Sequence, residues 1–203
     1  MKFTISSSLV GLALALGTAG AMAQEQPATG GGLKTRGFVA LGFLGGGEKL
    51  STVDVTVGNS TSTESVRAGG SVDIRGGAEF ALNPAWSIQL SAGYVTDGVR
   101  AENGKVTFTA WPVEALAHYR IVDAWRVGAG IRAPLSAKYE EGGVVGSFTA
   151  RFNASVSPVV EVEWLVTPSI GVKLRGMQEK YKVKGTSVKV DGNRVGLTAS
   201  LYF

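Results

Sequence analysis

From residue 35 onward, apolar and polar side chains alternate with a period of two, the spacing of a β-strand. Between residues 125 and 139, Trp125, Val127, Ala129, Ile131, Ala133, Leu135, Ala137 and Tyr139 share one face; Arg126, Gly128, Gly130, Arg132, Pro134, Ser136 and Lys138 share the other. The next run repeats the pattern, with Ala150, Phe152, Ala154, Val156, Val160, Val162 and Trp164 against Arg151, Asn153, Ser155, Ser157, Glu161 and Glu163. A third sets Trp86, Ile88, Leu90, Ala92 and Tyr94 against Ser87, Gln89, Ser91 and Gly93. The pattern predicts eight strands over 35–47, 70–82, 86–97, 105–121, 125–139, 148–165, 169–184 and 192–203. They exceed the usual globular strand of about 5–6 residues. They suit tilted strands crossing a bilayer, which need about 9–11.

The connections alternate in kind. Compact turns fall at Asn83-Pro84, Val122-Asp123 and Thr167-Pro168. Longer polar, glycine-rich segments fall at 48–70, 97–104, 140–147 and 185–193. Short turns on one side and long loops on the other are the arrangement of a membrane barrel. Trp86, Trp125 and Trp164 stand beside the turns and are expected to form the inner interface girdle, with Tyr94 and Tyr139 in the outer one.

If the apolar face meets lipid, the other face holds Asp73, Arg75, Glu79, Glu114, His118, Arg120, Arg126, Arg132, Arg151, Glu161, Glu163, Lys173, Arg175 and Arg194. Charges facing hydrocarbon are costly, so this parity is tenable only where the charged face turns inward. The expected fold is all-β: a closed, antiparallel, eight-stranded transmembrane barrel. A barrel of that size is about filled by its own side chains, so acids and arginines are expected to pair and plug the lumen.

The first residues have a different character. Met1 and Lys2 precede an apolar run, densest from Leu9 to Gly17, followed by Ala21, Met22 and Ala23. This is the order of a secretory signal. The expected organisation is a signal peptide over 1–23, a flexible leader over 24–34 containing Pro27 and three consecutive glycines, and the barrel over 35–203. With Lys2 removed, the formal charge falls from +4 to +3. The basic residues are dispersed, which argues against a nucleic-acid partner. The absence of cysteine excludes disulfides and thiolate metal sites.

The end of the chain carries the most specific motif. Val195, Leu197, Ala199 and Leu201 alternate with smaller or polar residues up to a terminal Phe203. This resembles the C-terminal assembly signal of outer-membrane proteins. The whole barrel segment is similar in pattern to the small eight-stranded barrels of the OmpX-like, OmpA transmembrane and OmpW-like kinds. The resemblance implies residence in the Gram-negative outer membrane, contact with its lipid and lipopolysaccharide, and handling by periplasmic chaperones and the barrel-assembly machinery.

Motifs for chemistry are sparse. The glycines of 128–133 have dinucleotide-site spacing but lie inside a strand with no helix following. Those of 42–47 imitate a phosphate loop, but Glu48 stands where lysine is required. His118 is the single histidine, and Tyr119 and Arg120 after it break the His-x-Ser motif of lipid A deacylases. It is expected to be a lumen hydrogen-bonding residue. No catalytic residue, cofactor or metal is expected. Lys180, Lys182 and Lys184 share one face at the outer end of a strand, at the level of lipopolysaccharide phosphates. Pro112, Pro134 and Pro158 lie inside strands and predict bulges, or a local gap in the wall. The first expectation of function is a non-enzymatic barrel that supports the envelope and displays loops. The alternatives are OmpW-like passage of small apolar molecules and lipid A modification.

Overall fold

The computed structural model describes residues 33–57, 60–67, 72–101, 104–143, 146–185 and 189–203. The expected signal peptide and most of the leader lie outside the described residues. The strands are β1 (Lys34–Gly46), β2 (Lys49–Val57), β3 (Ser60–Arg67), β4 (Val72–Ala81), β5 (Trp86–Ala101), β6 (Gly104–Val122), β7 (Trp125–Gly143), β8 (Gly146–Ala154), β9 (Ser157–Thr167), β10 (Ile170–Met177), β11 (Lys180–Val183), β12 (Lys189–Asp191) and β13 (Arg194–Tyr202).

Eight staves close a ring in the order β1, β4, β5, β6, β7, β9, β10, β13 and back to β1, with every pairing antiparallel. Residues 38–46 of the first stave pair with the last, from Phe38 opposite Tyr202 to Gly46 opposite Arg194. The predicted staves are therefore present, but three are interrupted near the loop end: β8 continues β9, β11 continues β10 and β12 precedes β13. The turn end is built by local chemistry. Asn83 Oδ1 accepts from the amides of Ala85 (2.9 Å) and Trp86 (2.8 Å), and Thr167 Oγ1 accepts from Ser169 (3.2 Å). Both are side-chain mimics of a backbone turn.

Segments expected as loops are largely paired. β5 and β6 stay in register out to Ala101 opposite Gly104, and β6 and β7 out to Gly104 opposite Gly143. Residues 48–70 contain a separate hairpin of β2 and β3. Polar residues on both strand faces hid these ladders, because an extension standing in water has no need of an apolar outer face.

The same change of surroundings inverts the wall. Near the turn end, charged side chains point in and apolar ones point out. Near the loop end, Val95, Val106, Phe108, Ala110, Ala137, Tyr139, Phe152, Tyr181 and Val190 form a buried inner cluster. In β6 the sequence itself changes character at Trp111. In β7 a bulge does the work: Trp111 is opposite Ser136 and Pro112 opposite Pro134, leaving Leu135 as the inserted residue, 73% exposed. One extra residue moves all that follow to the other face. In the next stave the break at Ser155-Val156 has that effect, and Phe152 turns inward.

Three expected placements are corrected by this inversion and by the barrel mouth. Tyr139 is buried inside (7% exposed) and is not part of an outer girdle. Arg151, beyond the break, is exposed on the outer wall. Arg120 has inward parity in the sequence, but a register irregularity between Arg120 and Val122 precedes the turn, and it is exposed at the mouth. Neither arginine joins the lumen network.

Candidate functional site

The interior of the lipid-facing section is a stack of ion pairs. Nearest the turns, Arg126 bridges Glu79 (2.7 Å) and Glu163 (2.6 Å), and Arg36 approaches Glu79 from the rim (2.8 Å). Tyr202 accepts from Arg126 and donates to Glu163, each at 2.6 Å. One level up, Glu161 faces His118 Nε2 (2.7 Å), Lys173 (2.8 Å) and Arg175 (3.1 Å). Above that, Glu114 gathers Arg75 (2.8 Å), Arg175 (2.7 Å) and Arg132. Arg75 and Arg132 also hold Asp73, at 2.8 and 3.3 Å. The top level is Glu179, which accepts from Arg132 Nε (2.7 Å) and Tyr181 (2.8 Å) and pairs with Arg194.

Asp73, Glu79, Glu114, Glu161, Glu163 and Glu179 thus stand against Arg75, Arg126, Arg132, Lys173, Arg175 and Arg194, all buried. The balance is what allows the set to be buried: an uncompensated interior charge costs several kcal/mol. Twelve of the expected lumen residues meet here (Asp73, Arg75, Glu79, Glu114, His118, Arg126, Arg132, Glu161, Glu163, Lys173, Arg175 and Arg194). Sequence reasoning missed Glu179, Gln89 and Tyr202. Gln89 and Tyr202 were legible as the polar-face alternates of their strands. Glu179 lies in the break between β10 and β11, beside the lysine row, where no clean alternation marks it.

His118, Glu161 and Glu163 lie close enough together to offer three metal-ligand atoms. The donor chemistry fits ion pairing better, because Lys173, Arg175, Arg126 and Tyr202 already engage those carboxylates. His118 is also buried in the lumen (1% exposed).

The outer wall is the complement. Trp86, Trp125 and Trp164 are exposed at the turn end, and Trp125 stacks on Trp164 with centroids 6.2 Å apart. Trp86 contacts Tyr119, and eight residues further along β5, Tyr94 contacts Trp111; both pairs have centroids 4.9 Å apart. Ile88, Leu90, Ile131, Val160, Val162 and Leu174 are exposed between these levels. Val195, Leu197 and Leu201 of the assembly motif are exposed along β13, as is Phe203, while Thr198, Ser200 and Tyr202 point in. Lys180, Lys182 and Lys184 are exposed outside, above the apolar band.

The wall is interrupted where β7 passes from β9 to β8. β7 pairs with β9 up to Arg132 opposite Ser157, and with β8 from Ala137 opposite Phe152. Among the described residues no ladder pair joins 133–136 to 153–156. Pro112 and Pro134 face each other at this height, and Pro158 Cα is two residues from the break.

A closed ring with this inside and outside is a small eight-stranded barrel of the outer-membrane class, and the apolar wall puts the protein in the outer membrane. No family model and no curated protein matches the sequence. Among solved structures the chain is similar to Ail, the attachment invasion locus protein of Yersinia pestis, at 14% identity and a TM-score of 0.51, over 84% of this chain and 99% of that one. It is also similar to Neisserial surface protein A, at 8% identity and a TM-score of 0.52, over 85% and 99%. The outer membrane protein AlkL matches at 15% identity and a TM-score of 0.42, over 89% and 96%. At such identities the common property is the fold.

Proposed function

We propose that this protein is a non-enzymatic barrel of the envelope, closed to water, that anchors a folded β-structure at the cell surface. The observation that carries this reading is the lumen, where six acids and six cations interlock in the lipid-facing section. Above it the apolar cluster continues the filling. The extended hairpins beyond are the part free to make surface contacts, in keeping with the functional role of loops on rigid scaffolds. The buried and ion-paired state of His118 and the acids supports the absence of catalysis. Planar-bilayer recording of the refolded barrel tests the closure: no steady ohmic conductance is expected, and a large stable one refutes it.

The interrupted ladder favours a second reading, sideways passage of small apolar solutes between the inner cluster and the lipid. It predicts uptake of such a solute by proteoliposomes, and a loss of uptake when Pro112, Pro134 and Pro158 are all replaced by alanine. Unchanged uptake in that variant removes the wall break from consideration.

A further inference from the structure

Above the break, the outer wall carries cations side by side. Lys182 lies directly opposite Lys189 in the β11–β12 ladder. Lys138 lies opposite Arg151, and the Lys184 amide donates to the Arg151 carbonyl at 2.9 Å, which sets Lys184 across from Arg151 on its other side. Neighbouring strands are about 4.8 Å apart, so Lys138, Arg151 and Lys184 form a transverse row, with Lys182 and Lys189 in the row beneath. Like charges directly opposite in a ladder are destabilising. Lys138 is relieved by Glu140 at 2.7 Å. Among the described residues, Arg151, Lys182, Lys184 and Lys189 have no ion-pair partner. Asp191 is opposite Lys180 and belongs to the edge of the patch.

The lumen shows that this chain places an acid beside each cation where compensation is needed. At Arg151, Lys182, Lys184 and Lys189 the described residues supply no such acid, which leaves these four cations open to an anion from outside. Directly below the rows, the wall turns apolar and strongly exposed at Leu135 (73%), Val156 (61%) and Val160 (59%). A ligand that satisfies both levels carries phosphates above hydrocarbon chains. We infer that Arg151, Lys182, Lys184 and Lys189, with Lys180 at the edge, form a seat for the phosphates of an outer-leaflet glycolipid whose acyl chains lie on Leu135, Val156 and Val160. The seat rests on the membrane placement and is independent of whether the lumen is closed.

The test uses the refolded full chain in vesicles of phosphatidylcholine doped with diphosphoryl or fully dephosphorylated lipid A. Retained lipid is counted by native mass spectrometry after mild detergent extraction. The heat-dependent gel shift, read on the same samples, reports the barrel and separates failure of the seat from failure of the fold. The wild type is expected to retain the diphosphoryl form at least tenfold better than the variant R151Q/K182Q/K184Q/K189Q, a ratio of roughly the size expected for several basic residues at a lipid surface. R120Q/K34Q, which removes cations at the opposite end, is expected to retain it like the wild type. Should the fourfold variant fail to shift on the gel, K182Q/K189Q replaces it. The sign of its stability change is then diagnostic: a raised urea midpoint in neutral detergent, as repulsion is relieved, and a lowered one with diphosphoryl lipid A. Equal retention of dephosphorylated lipid, equal retention by the folded charge variants, or displacement of the lipid by millimolar inorganic phosphate each overturns the seat.

Discussion

Glu114 is the residue on which the lumen network most depends. It is buried and holds Arg75, Arg132 and Arg175 at once. The substitution Glu114→Gln keeps the shape and removes the charge. Each guanidinium–carboxylate contact is worth about 4 kcal/mol before desolvation at an effective dielectric of 20. Three contacts do not add, because the arginines retain other acids: Arg75 and Arg132 keep Asp73, Arg132 keeps Glu179 and Arg175 keeps Glu161. The net loss is expected near the value for breaking a buried ion pair from one side, about 3–5 kcal/mol. With a urea slope of about 2 kcal/mol per molar, the midpoint falls by about 2 M. Reversible urea unfolding in lipid vesicles, followed by the gel shift and by tryptophan emission, reads this directly. The rim pair provides the contrast: Arg36, with a side chain 28% exposed, is expected to cost under about 1 kcal/mol when replaced by glutamine. A Glu114→Gln midpoint within about 0.5 M of the wild type refutes the claim that charge balance holds the lumen together.

Two further outcomes follow from the wall. A Cβ at Gly130 would lie 2.1 Å from the Ala115 carbonyl oxygen, so Gly130→Ala must push β6 away and is expected to cost about 1–3 kcal/mol; at Gly76 the nearest atom is 3.8 Å away, and Gly76→Ala is expected to be neutral by the same urea assay. Leu135 is the inserted residue, so its deletion restores plain alternation with Ala137 and Tyr139 still inward and is expected to retain the heat-dependent gel shift, whereas deletion of Ile131, within the regular part of β7, would turn Arg132 onto the lipid-facing wall and is expected to abolish it.

The staves were legible because lipid imposes a strict rule on the outer face. Every second residue must be apolar there, and Trp86 to Tyr94 or Trp125 to Ala133 obey it without exception. Most lumen residues followed by parity alone. The rule stops where the lipid stops, and the sequence does not announce the place. Leu135, Ala137 and Tyr139 continue the apolar alternation of β7 unbroken, yet the bulge turns the last two inward. The pairing of two prolines across β6 and β7 was computable by counting from Asp123; the residue that slips between them was not. The interlocking of Glu179 with Arg132 and Arg194 depends on strands brought together only by closure of the ring, which no local pattern encodes.

The aromatic pairs on β5 and β6 also measure something. From the Trp86–Tyr119 pair to the Tyr94–Trp111 pair the chain advances eight residues, about 27 Å along a strand. At the usual tilt of about 40° this is a vertical rise of about 21 Å. A bilayer with a core of about 30 Å would have to thin to meet it, whereas the bacterial outer membrane is already thinner than average. The spacing of four aromatic rings therefore acts as a gauge of bilayer thickness, favouring one membrane over others at a fraction of a kcal/mol per ångström of misfit.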